Sequence, residues 1–104
     1  MKNEDREKIK LKIATTLNIL LNKKKEKTNN GLNKEDIVNS YNEIALIADI
    51  RKATVSDTFN ANTIPSSITL IEIIKAMGFG IQDFGNIYDS LTNNDLKKFT
   101  KEFF

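Results

Sequence analysis

Histidine and cysteine are both absent from the 104 residues, and those two absences remove most side-chain chemistry at the outset. Histidine is the commonest general base and metal ligand, and the cysteine thiolate is a ready nucleophile and zinc ligand. Carboxylates alone could still hold an ion, but none fall at ligand spacing, so no metal and no cofactor are expected. Nor is an enzyme. What remains able to do chemistry is charge. Sixteen basic residues face fourteen acidic ones, a net +2, but the signs are separated along the chain. Residues 1–34 carry ten basic and four acidic side chains, a balance of +6, and residues 35–104 carry six and ten, a balance of −4. The densest cluster is Lys23-Lys24-Lys25-Glu26-Lys27, and a second basic pair is Arg51-Lys52. Such asymmetry suits a polyanionic partner. A solvated basic helix or loop explains it equally simply.

These side chains need elements to position them, and the hydrophobic periodicity is helical throughout. Ile9, Ile13, Thr16, Leu17 and Leu20 fall on one stripe of a segment running from about Glu4 to Lys25. The apolar pattern stops over Lys23–Gly31, where Asn30-Gly31 marks a turn. That stretch reads as a loop, with one short helical turn at Asn33–Val38 in which Ile37 and Val38 point inward. Ser40-Tyr41-Asn42-Glu43 has the form of a capping box, so a short helix is expected to begin there. Its inner face would be Tyr41, Ile44, Ala45, Ile47 and Ala48. A second short helix spans about Arg51–Asn60 and buries Val55, Thr58 and Phe59. Ala61–Pro65 is a loop. Ser66 or Ser67 caps a helix to Met77 that is apolar nearly all round and is therefore expected at the centre, with Gly78 as its left-handed cap. Ile81, Phe84, Tyr88 and Leu91 form a fifth stripe. Thr92-Asn93-Asn94-Asp95 starts a last helix carrying Leu96, Phe99 and Phe103. Nothing alternates as a strand does. The expectation is an all-α protein of five or six short helices, one domain over residues 1–104.

The helix pair at 41–60 is the informative part. Two helices crossing steeply need a small residue where their backbones approach, and Ala45 supplies one. They need a turn that tolerates a positive φ, and Asp49 is one of the few residue types that does. Ile50 and Val55 are placed to lock the second helix on the first. A short turn between two such helices is a helix-turn-helix. From Glu43 to about Phe84 the sequence resembles the Cro/lambda-repressor-like, or XRE-type, DNA-binding domain. Glu43-Ile44-Ala45 through Asp49-Ile50 is similar to that family's second helix and turn, and Lys52-Ala53-Thr54-Val55-Ser56 to its recognition helix. Pro65-Ser66-Ser67-Ile68-Thr69-Leu70, Ile73 and Lys75-Ala76-Met77-Gly78-Phe79 resemble its fourth helix, and Ile81-Gln82-Asp83-Phe84 the opening of its fifth. The chain departs from the pattern in having Asp49 for glycine and Arg51 where a serine or threonine cap is usual. It also has a long connector, about Lys25–Asn39, and a C-terminal extension at 93–104.

The resemblance implies a transcriptional regulator, a repressor acting as a homodimer on double-stranded DNA in the cytoplasm, with the recognition helix in the major groove. Base contacts would come from Arg51, Lys52, Ala53, Ser56, Asp57 and Asn60, and phosphate contacts from Ser40, Tyr41, Asn42, Thr54 and Asn62. The lysines at 23–27 would reach a neighbouring phosphate or the minor groove. Leu96, Phe99, Phe103 and Phe104 are either core or a dimer contact. Two other readings stay open: the antitoxin half of a toxin–antitoxin pair, with a toxin as protein partner, and a helical protein-interaction module without DNA binding. No run approaches the ~18 apolar residues of a membrane span, and no membrane partner or secretory leader is expected. Asn, Lys and Ile supply 41 of the 104 residues, the bias of an A+T-rich, and so bacterial, coding sequence.

Overall fold

A computed structural model describes the backbone of residues 3–26 and 34–103, and the side chains of 4–25 and 39–101. Those residues form six helices: α1 Asn3–Glu26, α2 Lys34–Ala48, α3 Lys52–Phe59, α4 Ser67–Ala76, α5 Ile81–Ser90 and α6 Asn93–Phe103. No strand occurs among the described residues, so the all-α expectation holds. None of these helices is long and apolar enough to cross a membrane.

The centre of the fold is α1. Glu4 and Asp5 open it and Lys23, Lys24 and Lys25 close it, the order that complements a helix dipole. Its buried face takes in Ile13, Ala14, Leu17, Leu20 and Leu21, together with Thr15, Thr16 and Asn18. The two buried hydroxyls donate to the carbonyls one turn back, Thr15 Oγ1 to Leu11 and Thr16 Oγ1 to Lys12, both at 2.7 Å. Burial therefore leaves no polar group stranded. Against α1 pack α3, α5 and α6, while α2 packs on α3 and α4. The expectation that α4 is central is corrected. Ile73, Ile74, Ala76 and Met77 are buried, but Ile68 is 76 % exposed and Ile71 faces solvent too. A helix apolar all round is a burial signal only if neighbours cover every side, and α4 packs chiefly on α2 and α5.

Three boundaries also differ from the sequence expectation. Lys23–Lys25 belong to the last turn of α1 rather than to a loop; Lys27–Gly31 lie outside the described residues. Helix α2 begins at Lys34, so the single turn expected at 33–38 and the helix expected from Ser40 are one continuous element. Ser40 is buried in mid-helix, and a capping box there is excluded by position. The side chains of Ile37 and Val38 lie outside those described. Of the connector expected at about Lys25–Asn39, Lys25 and Glu26 belong to α1 and residues 34–39 to α2; residues 27–33 lie outside the described residues. Finally, Ile47 is exposed rather than on the inner face of α2.

Other local signals act as the residue types dictate. Ser66 caps α4, its hydroxyl accepting from Thr69 N at 3.2 Å. Gly78 ends α4 at φ 86°, with Phe79 N donating back to Ile74 O at 3.1 Å. Thr92 and Asp95 form a reciprocal cap on α6: Asp95 N donates to Thr92 Oγ1 at 3.2 Å, and Thr92 N donates to Asp95 Oδ2 at 2.8 Å. Leu96 and Phe99 are buried against the rest of the chain. They are core residues, not a free dimer face; Phe103 and Phe104 lie outside the described side chains.

Candidate nucleic-acid interface

Helices α2 and α3 are joined by three residues, Asp49-Ile50-Arg51. Asp49 takes φ 57°, which lets Ile50 N donate back to Ala45 O at 3.0 Å and ends α2 sharply. Ala45 is buried at this junction, as are Ile44 and Ala48. Arg51 is extended, φ −68° and ψ 140°, and begins α3 without a side-chain cap. Its carbonyl accepts from Thr54 N and Val55 N at 3.1 and 3.2 Å. The turn, its left-handed residue and the missing cap are all as the residue types imply.

The buried side of α3 is Val55, Thr58 and Phe59. Phe59 meets Tyr41 of α2 with ring centroids 4.9 Å apart and planes at 41°, a tilted aromatic pair. Burial pushes the Tyr41 phenol above its ordinary value. Burial counts against two of the expected phosphate ligands. Tyr41 and Ser40 are 8 % and 3 % exposed, and they stand mid-helix, away from any N-terminal amides. Asn42 is half-buried and lines a shallow depression with Ala45, Leu46, Asp49, Ile50 and Lys52. Asn62 is exposed, and Thr54 is half-buried.

On the opposite side of α3, Arg51, Lys52 and Ala53 are exposed, whereas Ser56, Asp57 and Asn60 are half-buried. The Asn60 amide is turned onto its own helix, donating to Ser56 O at 2.8 Å and Ser56 Oγ at 3.3 Å. Asp57 Oδ1 accepts from Asn62 Nδ2 at 3.4 Å. The leading end of the helix therefore projects its side chains into solvent, and its trailing end presents side chains already engaged. Sequence spacing places Ala53, Ser56, Asp57 and Asn60 on the outer face and Arg51 and Lys52 at its leading end, but it cannot distinguish a side chain that projects from one that folds back.

Comparison with family models, characterised proteins and solved structures finds no match to this chain. The geometry therefore stands on its own residues. Two features near α3 carry no signal in the sequence pattern. Leu46 is 82 % exposed and Ile47 59 %, giving the outer side of α2 an apolar edge beside the turn. Ala61 takes φ 59°, a conformation alanine rarely adopts. A third feature is longer in range: Asn18, a polar residue beside the periodic stripe of α1, reaches across to Phe59 O at 2.9 Å. Among the described residues, no cluster of three carboxylates is gathered as a metal site.

Proposed function

We propose that this chain binds duplex DNA as a transcriptional regulator, with α3 lying in the major groove. One observation carries the reading. An eight-residue helix follows a three-residue turn with a left-handed Asp49, and it presents Arg51 and Lys52 at its exposed leading end. The N-terminal residues of the second helix are those that reach base edges in this motif. Arginine or lysine there pairs with guanine, and Ala53 suits a thymine methyl. Asn42 and Lys52 border the same depression, so a base contact and a phosphate contact can be made side by side. One such motif makes few base contacts, and two-fold pairing on a palindromic site is the usual remedy. The active unit is accordingly proposed to be a homodimer.

A second reading is favoured by a specific observation. The exposed Leu46 and Ile47 beside the turn, with Asp49 and Asp57 offsetting Arg51 and Lys52, suit a protein partner better than a polyanion. Selection of bound duplexes from a random library separates the two. Recovery of a palindrome supports the regulator. Recovery of no sequence, with binding no stronger than that of a neutral helical protein at the same salt, supports the interaction module.

A further inference from the structure

The last four carbonyls of a helix have no partner within it, and in α3 each can be traced. Ser56 O accepts from Asn60 N at 3.0 Å, Asp57 O from Asn62 N at 2.8 Å and Thr58 O from Ala61 N at 3.4 Å. Three of the four are thus satisfied by the chain that follows. The fourth, Phe59 O, accepts from Asn18 Nδ2 at 2.9 Å, across 41 residues of sequence. The same nitrogen donates to Ala14 O at 2.8 Å on α1, so both amide hydrogens are used. Asn18 is 8 % exposed. A buried primary amide with both hydrogens committed, one to each of two helices, fixes their relative placement more narrowly than apolar contact does, because hydrogen bonding is directional.

We infer that Asn18 is a positioning residue: it pins the C-terminal end of α3 to α1 and thereby sets where Arg51 and Lys52 stand. The inference rests on the DNA-binding reading for its functional consequence, but not for its structural one. Eight residues of helix span about 12 Å, so a tilt of roughly 10° between α3 and α1, once the hydrogen bond no longer restrains it, moves one end of α3 against the other by about 2 Å. Hydrogen bonds to base edges tolerate only a few tenths of an ångström. Phosphate contacts, made by long side chains to a uniform backbone, tolerate more. Without the pin, sequence discrimination therefore degrades before general affinity does.

The test uses the full chain with Asn18→Leu, which keeps the branched shape and removes the donor, and Asn18→Asp, which keeps the volume. The first readout is the amide resonances and hydrogen exchange of Asn60, Ala61 and Asn62. In Asn18→Leu these are expected to shift and exchange at least tenfold faster. In Asn18→Asp they are expected to move toward the parent positions as the introduced carboxyl gains a proton and can donate again, a titration the parent lacks. A residue that merely fills space would give no return of slow exchange at 60–62 on that protonation. If Asn18→Leu does not fold, the Asn18→Asp titration decides alone. Unchanged exchange at 60–62, or no titration, overturns the inference. The second readout is the ratio of affinity for a selected duplex to affinity for random duplex at one salt concentration, expected to fall at least fivefold in Asn18→Leu. An unchanged ratio with altered amides overturns the functional half. If the parent itself selects no duplex, the DNA-binding reading fails, and altered amides still uphold the pin.

Discussion

Asp49 and Ala61 hold the same left-handed backbone conformation, φ 57° and 59°, three residues before and two residues after α3. Each reverses the chain in the same way: Ile50 N donates to Ala45 O at 3.0 Å, and Asn62 N donates to Asp57 O at 2.8 Å. In both cases the bond runs from the residue after the left-handed one back to a carbonyl in the last turn of the helix. The proposed recognition helix is consequently bounded by two sharp reversals, one ending α2 and one ending α3 itself. They are unequal in cost. An aspartate side chain tolerates this region through local hydrogen bonding, whereas alanine has a Cβ and nothing to offset it.

Ala61→Gly is therefore expected to stabilise the protein. Removing the Cβ relieves roughly 1–2 kcal/mol of left-handed strain, while the freer unfolded chain takes back about 0.4–1 kcal/mol. The net gain should be about 0.5–1 kcal/mol, read as a higher urea midpoint with unchanged slope. A lower midpoint would show that Ala61 does not hold the conformation described.

Phe59 lies at the opposite extreme. It is 1 % exposed, touches Tyr41, and sits at the junction of α1, α2 and α3. Phe59→Ala should cost about 3–5 kcal/mol, against a total stability of roughly 5–15 kcal/mol for a domain. Equilibrium urea unfolding measures it. A cost below about 1 kcal/mol, well under the usual range for a buried phenylalanine, would mean the α2–α3 pair is not anchored through this ring.

Periodicity makes the fold class and the α2–α3 pair legible, because Ile44, Val55 and Phe59 are apolar and buried and Asp49 is a recognisable turn former. It fails where polar residues are buried and apolar ones are not. Thr15, Thr16, Asn18 and Ser40 are all in the interior, and the two threonines and Asn18 donate within four residues to α1 carbonyls. A polar residue satisfied by its own helix looks, in sequence, like a surface residue or a cap. For that reason the pattern starts a helix at Ser40 and does not mark α1 as the centre. Conversely, exposed Leu46, Ile47 and Ile68 resemble core residues in type. Within the candidate interface, the leading residues Arg51, Lys52 and Ala53 are exposed as spacing predicts, but no spacing rule reveals that Asn60 folds back on Ser56.

The α6 cap provides a pH test. Hydrogen bonds from the Thr92 N–H and hydroxyl hold the Asp95 carboxyl below its ordinary value of 3.8. A carboxylate with a lowered pKa adds stability at pH above its unfolded value and loses it as the pH falls through the folded one. Asp95→Ala should accordingly be less stable than the parent at neutral pH, and the gap should close on acidification below the ordinary carboxylate range. Thermal melts of both proteins across that range check it. A gap that stays constant would mean the carboxylate charge plays no part in the cap.

Lys23, Lys24 and Lys25 have two roles open to them, since the last turn of α1 is also where a helix dipole favours cations. Changing Lys23 and Lys24 to Gln distinguishes them. If they bind phosphate, the slope of log affinity against log salt should fall by roughly one for each phosphate no longer neutralised. If they serve only the helix end, the slope should stay as in the parent while stability drops by about 0.3–1 kcal/mol for each. Titrations at several salt concentrations, with a thermal melt of the same variant, tell the two apart.

The functional proposal is most exposed at Arg51 and Lys52. Both are solvent-exposed at the leading end of α3, so Arg51→Ala and Lys52→Ala should leave the melting temperature nearly unchanged. Their effect on DNA should differ in kind from that of the α1 lysines. Base contacts carry sequence information, and phosphate contacts set affinity and register. Each substitution should weaken a selected duplex by about 1–3 kcal/mol and random duplex much less. Asn60→Ala provides an internal contrast: its amide donates to Ser56, so its removal should change discrimination less than either basic residue does. The measurement is the ratio of specific to random affinity for all three variants at one salt concentration. If Arg51→Ala and Lys52→Ala both preserve that ratio, α3 does not read bases. The apolar edge at Leu46 and Ile47 then becomes the surface to probe, and a protein the partner to seek.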